Sequence, residues 1–308
     1  MKSKNNDPPI GGQALIEGVY MRGPKNGCIA VRRLDGELYI ELSAIKRPPL
    51  GKLPFVRGAV IMVDSLIKGY YSIMKSADIS MQGEEYEGKL DRWLEEKLGG
   101  KASMAIGAIA AVLGAVMSIM LFLVLPTFIA GLLKDVLAAA WLKAAVEGVL
   151  KIVIFVAYLF LVTRLKDIRR VFEYHGAEHK AIACFEAKEE LTVENVKRHR
   201  RFHPRCGTSF IFLVLIVSIA IFSFVPFENT FARAGAKLLL VPVIMGIAYE
   251  GLRFAGRNSG VLAKILGAPG MWIQRLTALE PDEAQLEVAI AALKGVIPEE
   301  GQHVGEKQ

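Results

Sequence analysis

Long apolar runs separated by charged segments occupy the middle of the chain. The first run, 102–125, carries no charged residue and is predicted to end at Pro126. It is longer than the stretch of about 18 apolar residues that indicates a transmembrane helix. Runs at 146–165, 209–225 and 236–249, the last one shorter, predict three further transmembrane helices. The pattern therefore predicts about four membrane-spanning helices.

The stretch 127–145 has a different pattern. It is apolar but is interrupted by Lys134, Asp135 and Lys143. Charged side chains are costly in the middle of a bilayer. The interruptions therefore favour a re-entrant or interfacial helix over a full crossing, although the sequence leaves open whether this stretch spans the membrane.

Short periodic segments precede the first apolar run. Apolar residues alternate along 28–45 around an Asp-Gly dipeptide at 35–36, which is typical of a β-hairpin. Along 59–74 they recur every three or four residues, which predicts an amphipathic helix. The charged segment 84–98 predicts a solvated helix that leads towards the bilayer.

The segment 11–24 reads GGQALIEGVYMRGP and has glycines near both ends. Glycine is common where the backbone turns sharply or approaches another group closely. The segment is interpreted either as a packed loop leading into a strand or as a cap over the histidine-rich segment described below. In the second interpretation, Gln13 or Glu17 would reach into the site.

The C-terminal part contains two further predicted helices. The stretch 261–279, which includes Trp272 and lacks sustained polarity, is predicted to lie at the membrane interface. An amphipathic helix is predicted from Pro281 to Leu293, because proline and acidic residues suit the first turn of a helix.

The distribution of basic residues predicts the membrane orientation. Eleven Lys and Arg residues lie within 164–207, compared with two in 126–145 and one in 226–235. The positive-inside rule then places both termini and the central segment in the cytoplasm. The predicted division is a cytoplasmic α+β region, transmembrane helices 1–2, a cytoplasmic His/Cys segment, transmembrane helices 3–4 and a cytoplasmic C-terminal region, at 1–100, 101–165, 166–207, 208–253 and 254–308.

Composition supports this fold class. Hydrophobic residues make up 53% of the 308 residues, more than the roughly 45–50% of soluble domains. We therefore predict an α+β protein of the cell (inner) membrane, whose cytoplasmic domain contains a small β-hairpin or sheet and amphipathic helices. The net charge of +7 is attributed to membrane orientation and attraction to lipid headgroups, so no DNA partner is expected. Three widely spaced cysteines argue against a disulfide framework.

Chemistry-bearing residues concentrate between 173 and 210, which contains four of the five histidines and two of the three cysteines. His175, Glu178 and His179 form an H-x-x-E-H motif. On a helix, the two histidines would lie one turn apart on one face, near enough to bind one metal ion, with the glutamate beside them.

His203 and Cys206 follow three residues apart and supply donor types that zinc accepts. The four side chains could close a structural site for zinc or another divalent metal. Alternatively, three of them bind and one position stays open, with Glu178, Glu173 or Glu17 as the proton carrier. The predicted catalytic residue is Glu178, and the predicted ligands are His175, His179, His203 and Cys206.

A charged helix beside the membrane also explains the histidines without a metal, since they could bind backbone carbonyls or headgroup phosphates. His199, within KRHRRFH, is interpreted as part of a basic face, and Cys184 as a core residue.

Four segments together resemble the YqhQ-like family of bacterial membrane proteins. They read GGQALIEGVYMRGP, YHGAEHKAI, RFHPRCGTSF and YEGLRFAGR, and occur in this order along nearly the whole chain. The resemblance implies a multi-pass inner-membrane protein with these motifs on one cytoplasmic face. The family has no known function and is commonly labelled as predicted metal-dependent enzymes. The sequence matches it at His175, Glu178, His179, His203 and Cys206.

Two functional hypotheses follow. In the first, the protein is a metal-dependent hydrolase that acts at the membrane surface on a lipid headgroup or a peptide. In the second, it is a non-enzymatic membrane protein whose basic cytoplasmic face binds a ribosome, a protein-insertion complex or anionic lipid. Transport is less favoured, because the clear spans carry ionisable residues only near their ends.

Overall fold

The computed structural model describes residues 10–45, 56–81, 102–133, 140–203, 206–224, 230–258 and 260–297. The described residues within 1–80, 156–218 and 240–308 form one compact unit. Those within 81–155 and 219–239 form a second unit. The helix predicted at 84–98 lies outside the described residues.

One antiparallel sheet contains four strands in the order of the chain. The strands are β1 (Gly11–Leu15), β2 (Gly18–Arg22), β3 (Asn26–Arg32) and β4 (Leu38–Ala44). β3 and β4 form the hairpin predicted over 28–45, and Gly36 in its turn has a φ of +88°. A positive φ is accessible to glycine at little cost, which explains the turn signal.

The segment 11–24 is not a loop that leads into a strand, which was one of its two interpretations. β1 and β2 pair from Gly11 opposite Arg22 to Leu15 opposite Gly18. The turn between them holds Glu17 at a φ of +50°. A glutamate in this conformation is uncommon, so the residue at the turn did not indicate a hairpin. The segment is therefore a hairpin, the first along the chain, and β3–β4 is the second.

The helices of the described residues comprise ten α-helical segments. They are α1 (Val56–Ser80), α2 (Ala102–Ile119), α3 (Leu125–Leu132), α4 (Ala140–Val162), α5 (Lys166–Glu186), α6 (Val193–Arg198), α7 (Gly207–Phe222), α8 (Thr230–Arg257), α9 (Val261–Thr277) and α10 (Glu283–Lys294).

Pro126 does not end the first apolar helix, contrary to the prediction. A π-helical turn, Met120–Val124, joins α2 to α3, and Pro126 stands at the start of α3. Proline is tolerated in the first turn of a helical segment, and a wider turn just before it relieves the ring's conflict with the preceding backbone. Residues 127–132 of the predicted re-entrant stretch therefore continue this helix. Residues 134–139 lie outside the described part.

Three helices of the described chain are long and apolar enough to cross a membrane. These candidate spans are Gly107–Leu132, Ala145–Val162 and Leu238–Ala255. α7 is apolar but has 16 residues. The third predicted span, 209–225, therefore corresponds to the short helix α7. The fourth, 236–249, was predicted to be the shorter one but lies within the 28-residue α8.

The second unit contains a buried ion pair in α4. Glu147 and Lys151 are 3% and 4% exposed, and their side chains lie 3.0 Å apart. The Thr127 hydroxyl donates a hydrogen bond to Glu147 at 3.0 Å. Pairing offsets part of the cost of burying two charges in an apolar helix.

The core of the first unit lies between the sheet and helices α5 and α10. Its fully buried members include Val19, Met21, Cys28, Ala30, Tyr174, Ala177, Leu286 and Leu293. α10 begins with a capping box, in which the side chains of Asp282 and Gln285 each accept the other's backbone N–H. This agrees with the helix predicted over 281–293. The packing brings segments from both ends of the chain against α5.

A second apolar cluster of the same unit joins helices α7 and α8. Phe210, Leu213 and Ala248 are buried in it, and Met62 of α1 and Leu266 of α9 pack against them. Helices α1 and α9 therefore lie against α7 and α8.

Candidate metal centre

Helix α5 carries the H-x-x-E-H motif, as predicted. His175 and His179 lie one turn apart, and their ring centroids are 4.4 Å from each other. His179 is 2% exposed. Two imidazoles on one face of a helix are thus held side by side.

Backbone carbonyls fix the orientation of both rings. His175 Nδ1 lies 2.6 Å from the Thr277 carbonyl oxygen, and His179 Nδ1 lies 2.6 Å from that of Arg201. A carbonyl only accepts, so each Nδ1 carries the proton and donates. In the neutral ring the lone pair then lies on Nε2, the usual arrangement of a metal-binding histidine. Burial lowers the pKa of His179 and so favours its neutral form.

Cys206 faces these two rings. Its Sγ lies 3.1 Å from His175 Nε2, and ligand atoms of His175, His179 and Cys206 are all within 4.8 Å of one another. Just before α7, the sulfur accepts the Thr208 backbone N–H at 3.4 Å and contacts its hydroxyl at 3.1 Å. These two contacts fix the position of the sulfur beside the rings.

His203, the fourth predicted ligand, lies beside this group with a different orientation. Its ring centroid is 5.8 Å from that of His179, and its Nε2 lies 3.4 Å from a carboxylate oxygen of Glu186. Three predicted ligands therefore converge in the described structure. The role of His203 as a ligand stays a prediction.

Glu178 is buried next to the histidines, at 5% exposure. Its carboxylate accepts the backbone N–H of Gly12 and lies near His175 and His203. Burial raises its pKa above the ordinary value, which the hydrogen bond to Gly12 and the neighbouring imidazoles oppose. A buried carboxyl beside two possible metal ligands is well placed to transfer a proton.

The alternative proton carriers lie elsewhere. Glu17 pairs with Arg170 and accepts the Tyr174 hydroxyl at 3.2 Å. Glu173 contacts Arg169 at 3.2 Å and Gln285 at 3.2 Å. Of the three candidate carboxylates, Glu178 is the one beside the histidines.

The first hairpin reaches the site through Gly12. Gln13, predicted to reach in, donates instead to the Gly69 carbonyl at 3.4 Å. A Cβ at Gly12 would lie 3.0 Å from the Glu178 carboxyl. The close approach of β1 to α5 therefore depends on a missing side chain, which the glycine-rich start of the segment could have signalled.

Gln274 is a residue that sequence reasoning missed. Fully buried in α9, it accepts the His203 backbone N–H at 2.8 Å and donates to the His203 carbonyl at 2.8 Å. These two hydrogen bonds hold the backbone of His203, three residues before Cys206, in place. Its 71-residue separation from His203 left no local pattern to indicate the contact.

We expect Gln274→Leu to destabilise this segment. The change leaves a buried N–H and a buried carbonyl without their partner, at about 1–3 kcal/mol for each group. A lower Tm in detergent and weaker metal retention should result. Arg275→Leu, on the exposed side of α9, is the control and should leave both unchanged; equal behaviour of the two variants would contradict this role of Gln274.

A second grouping of donor atoms comprises Cys184, Glu189 and His199. His199 Nε2 lies 3.2 Å from a Glu189 carboxylate oxygen. Burial, with a contribution from Glu189, raises the pKa of the Cys184 thiol to about 11. Cys184 belongs to the core, as predicted.

Comparison with known proteins places the chain in a family. The family model described as "Protein of unknown function (DUF1385)" matches residues 53–299. The chain belongs to the DUF1385 family. It is also 34% identical over 304 residues to "Uncharacterized protein YqhQ" of Bacillus subtilis (strain 168), an alignment that covers 96% of this chain and 94% of the relative. No solved structure matches the chain.

The resemblance to the YqhQ-like family is therefore confirmed. The DUF1385 match includes Glu178 and all four predicted ligands, whereas Gly12 precedes it. Neither description names an activity, a substrate or a metal.

Proposed function

We propose that this chain is a multi-pass membrane protein with a divalent-metal centre at His175, His179 and Cys206, and that it acts as a metal-dependent hydrolase at the membrane surface. The observation that carries this proposal is the convergence of ligand atoms of His175, His179 and Cys206 within 4.8 Å of one another, while each histidine Nδ1–H is held by a carbonyl. Two nitrogens and one thiolate suit zinc, and a site with three protein ligands is typical of catalytic zinc.

When bound there, the metal would supply Lewis-acid polarisation of a substrate carbonyl or phosphoryl oxygen. Residues of the chain itself supply proton transfer and exclude water. Glu178 takes up and returns the proton of the reaction, and its hydrogen bond to Gly12 fixes the carboxyl in place. Burial of Glu178, His179 and Cys206 excludes bulk water around these groups.

The core of the first unit supports a common side of the membrane for three segments. The sheet, α5 and α10 share one core, so in this proposal residues 10–45, 166–198 and 283–297 lie on one side. Crossings between these segments would then come in pairs. The candidate spans in α2–α3 and α4 would form one pair, and the shorter α7 would form a second pair with the span in α8, which amounts to four crossings.

The distribution of basic residues supports a cytoplasmic location for this side. Eleven Lys and Arg residues occur within 164–207, compared with two in 126–145 and one in 226–235. Both termini are then cytoplasmic, in the cell (inner) membrane. Exposed basic residues of this segment, such as Arg164, Lys166 and Arg200, would attract an anionic substrate, such as a lipid headgroup or an acidic peptide at the surface.

The proposal is tested by substrate discovery. Membrane extract from a strain that lacks the gene is incubated with the purified full-length protein, either stripped of metal or restored with zinc, and compared by mass spectrometry. We expect one lipid or peptide to be hydrolysed only by the zinc-restored protein. If zinc restoration consumes no component of the extract, the hydrolase proposal fails, and crosslinking to ribosomes or insertion complexes becomes the next experiment.

A further inference from the structure

Helix α9 has an exposed apolar face. Val261, Leu262, Ile265 and Trp272 are 75%, 57%, 61% and 52% exposed. At 3.6 residues per turn these side chains fall within an arc of about 100°. Lys264 and Arg275, both exposed, border this arc on one side. A soluble surface rarely carries such a stripe.

Helix α1 has a similar face. Val63, Leu66, Ile67 and Tyr71 each have more than half of their surface exposed. Its opposite face is buried, at residues that include Gly58, Gly69 and Ser76. Both helices are therefore amphipathic, with the apolar face turned outward.

Both helices pack against a candidate span. Met62 of α1 and Leu266 of α9 contact the cluster that contains Ala248, which lies within Leu238–Ala255. A Cβ at Gly58 would lie 2.7 Å from the Met245 carbonyl and 2.8 Å from Tyr249. The exposed stripes thus adjoin the part of the chain that enters the hydrocarbon.

We propose that the outer faces of α1 and α9 are seated in the bilayer, at the boundary between headgroups and acyl chains. This inference rests on the membrane insertion proposed above. Burying these side chains in lipid removes their apolar surface from water, which is favourable. Trp272 is of the type enriched at that depth, and Lys264 and Arg275 can reach headgroup phosphates.

Helix α9 then connects the bilayer to the metal centre. Its inner face holds the His203 backbone through Gln274 and the His175 ring through the Thr277 carbonyl. An α-helix with its side chains is about 10–12 Å across. The centre therefore lies one helix diameter from the lipid surface, where a headgroup is within reach. This favours a lipid headgroup as the substrate of the proposed hydrolase.

Fluorescence quenching tests the docking surface. The changes Trp93→Phe and Trp141→Phe leave Trp272 as the only tryptophan of the full-length protein. The variant is reconstituted into phosphatidylglycerol and phosphatidylcholine vesicles, with or without brominated acyl chains. We expect brominated lipid to reduce Trp272 emission about twofold or more, as for a ring at the acyl boundary. Tyr71→Trp, in a background without the three native tryptophans, should behave alike.

Ala284→Trp in the same background is the matched control. Ala284 is exposed in the first turn of α10, the helix that packs on the sheet and α5, and should respond to aqueous acrylamide and not to brominated lipid. Acrylamide quenching of Trp272 without bromine quenching would overturn the inference. So would protection from both quenchers, since it would show a protein covering the face.

The experiment distinguishes failure of the metal centre from failure of the lipid contact of α1 and α9. Metal content is measured on the same vesicles. A protein without metal would refute the metal centre and leave the quenching result unchanged. Conversely, a Trp272 exposed to water in a protein that floats with the vesicles and retains its metal refutes the docking surface alone.

Discussion

Glu178→Gln is expected to abolish function while the protein keeps its fold and its metal. The amide has nearly the size of the carboxylate, and its oxygen can still accept the Gly12 N–H. It cannot take up or return a proton. Loss of a positioned acid–base group typically costs about 10²–10⁴ in rate. Without a known substrate, the assay is complementation of the phenotype of a deletion strain, with metal content measured on the purified variant.

Glu173→Gln is the matched control for this change. Glu173 lies on the same helix, and its carboxylate contacts Arg169 and Gln285. This variant should complement at the wild-type level. If Glu178→Gln also complements fully, with metal retained, Glu178 is not a proton carrier. The non-enzymatic hypothesis, in which any metal only stabilises the fold, would then be favoured.

Gly12→Ala is expected to impair both the Glu178 contact and the sheet. The new Cβ would lie 2.6 Å from the Tyr20 carbonyl and 3.0 Å from the Glu178 carboxyl. Neither the β1–β2 ladder nor the buried carboxyl can yield without a shift, and such overpacking typically costs about 1–3 kcal/mol. We expect a lower Tm in detergent and loss of complementation.

The neighbouring glycine provides the control. A Cβ at Gly11 would have no heavy atom within 4 Å. Gly11→Ala should therefore leave the Tm and complementation unchanged. If both alanine variants behaved like the wild type, the close approach of β1 to α5 would be refuted.

Local patterns predicted the parts of the site that one element supplies. Two histidines four residues apart mark one face of a helix, so His175 and His179 were placed together from the sequence alone. The Asp-Gly dipeptide at 35–36 likewise predicted the second hairpin. The first hairpin was missed because Glu17 occupies a turn conformation for which glutamate is not the usual residue.

Contacts between distant segments carried no such pattern. The carbonyl of Thr277 that orients His175 lies 102 residues away, and any residue could supply it. Gln274 acts in the same way on the His203 backbone. His203 and Cys206 were proposed as ligands by residue type, but only packing determines that Cys206 faces the rings while His203 Nε2 points to Glu186.

The central claim is that His175, His179 and Cys206 together hold one divalent cation. Elemental analysis of the purified full-length protein in detergent tests it most directly, for the wild type, for His175→Ala with His179→Ala, and for Cys206→Ser. His199→Ala, in the second grouping of donor atoms, serves as the control. We predict about one equivalent of zinc or another divalent metal in the wild type and the control, and its loss from the other two, as for a three-ligand site. A wild-type protein without stoichiometric metal, or variants that keep it, would contradict the claim.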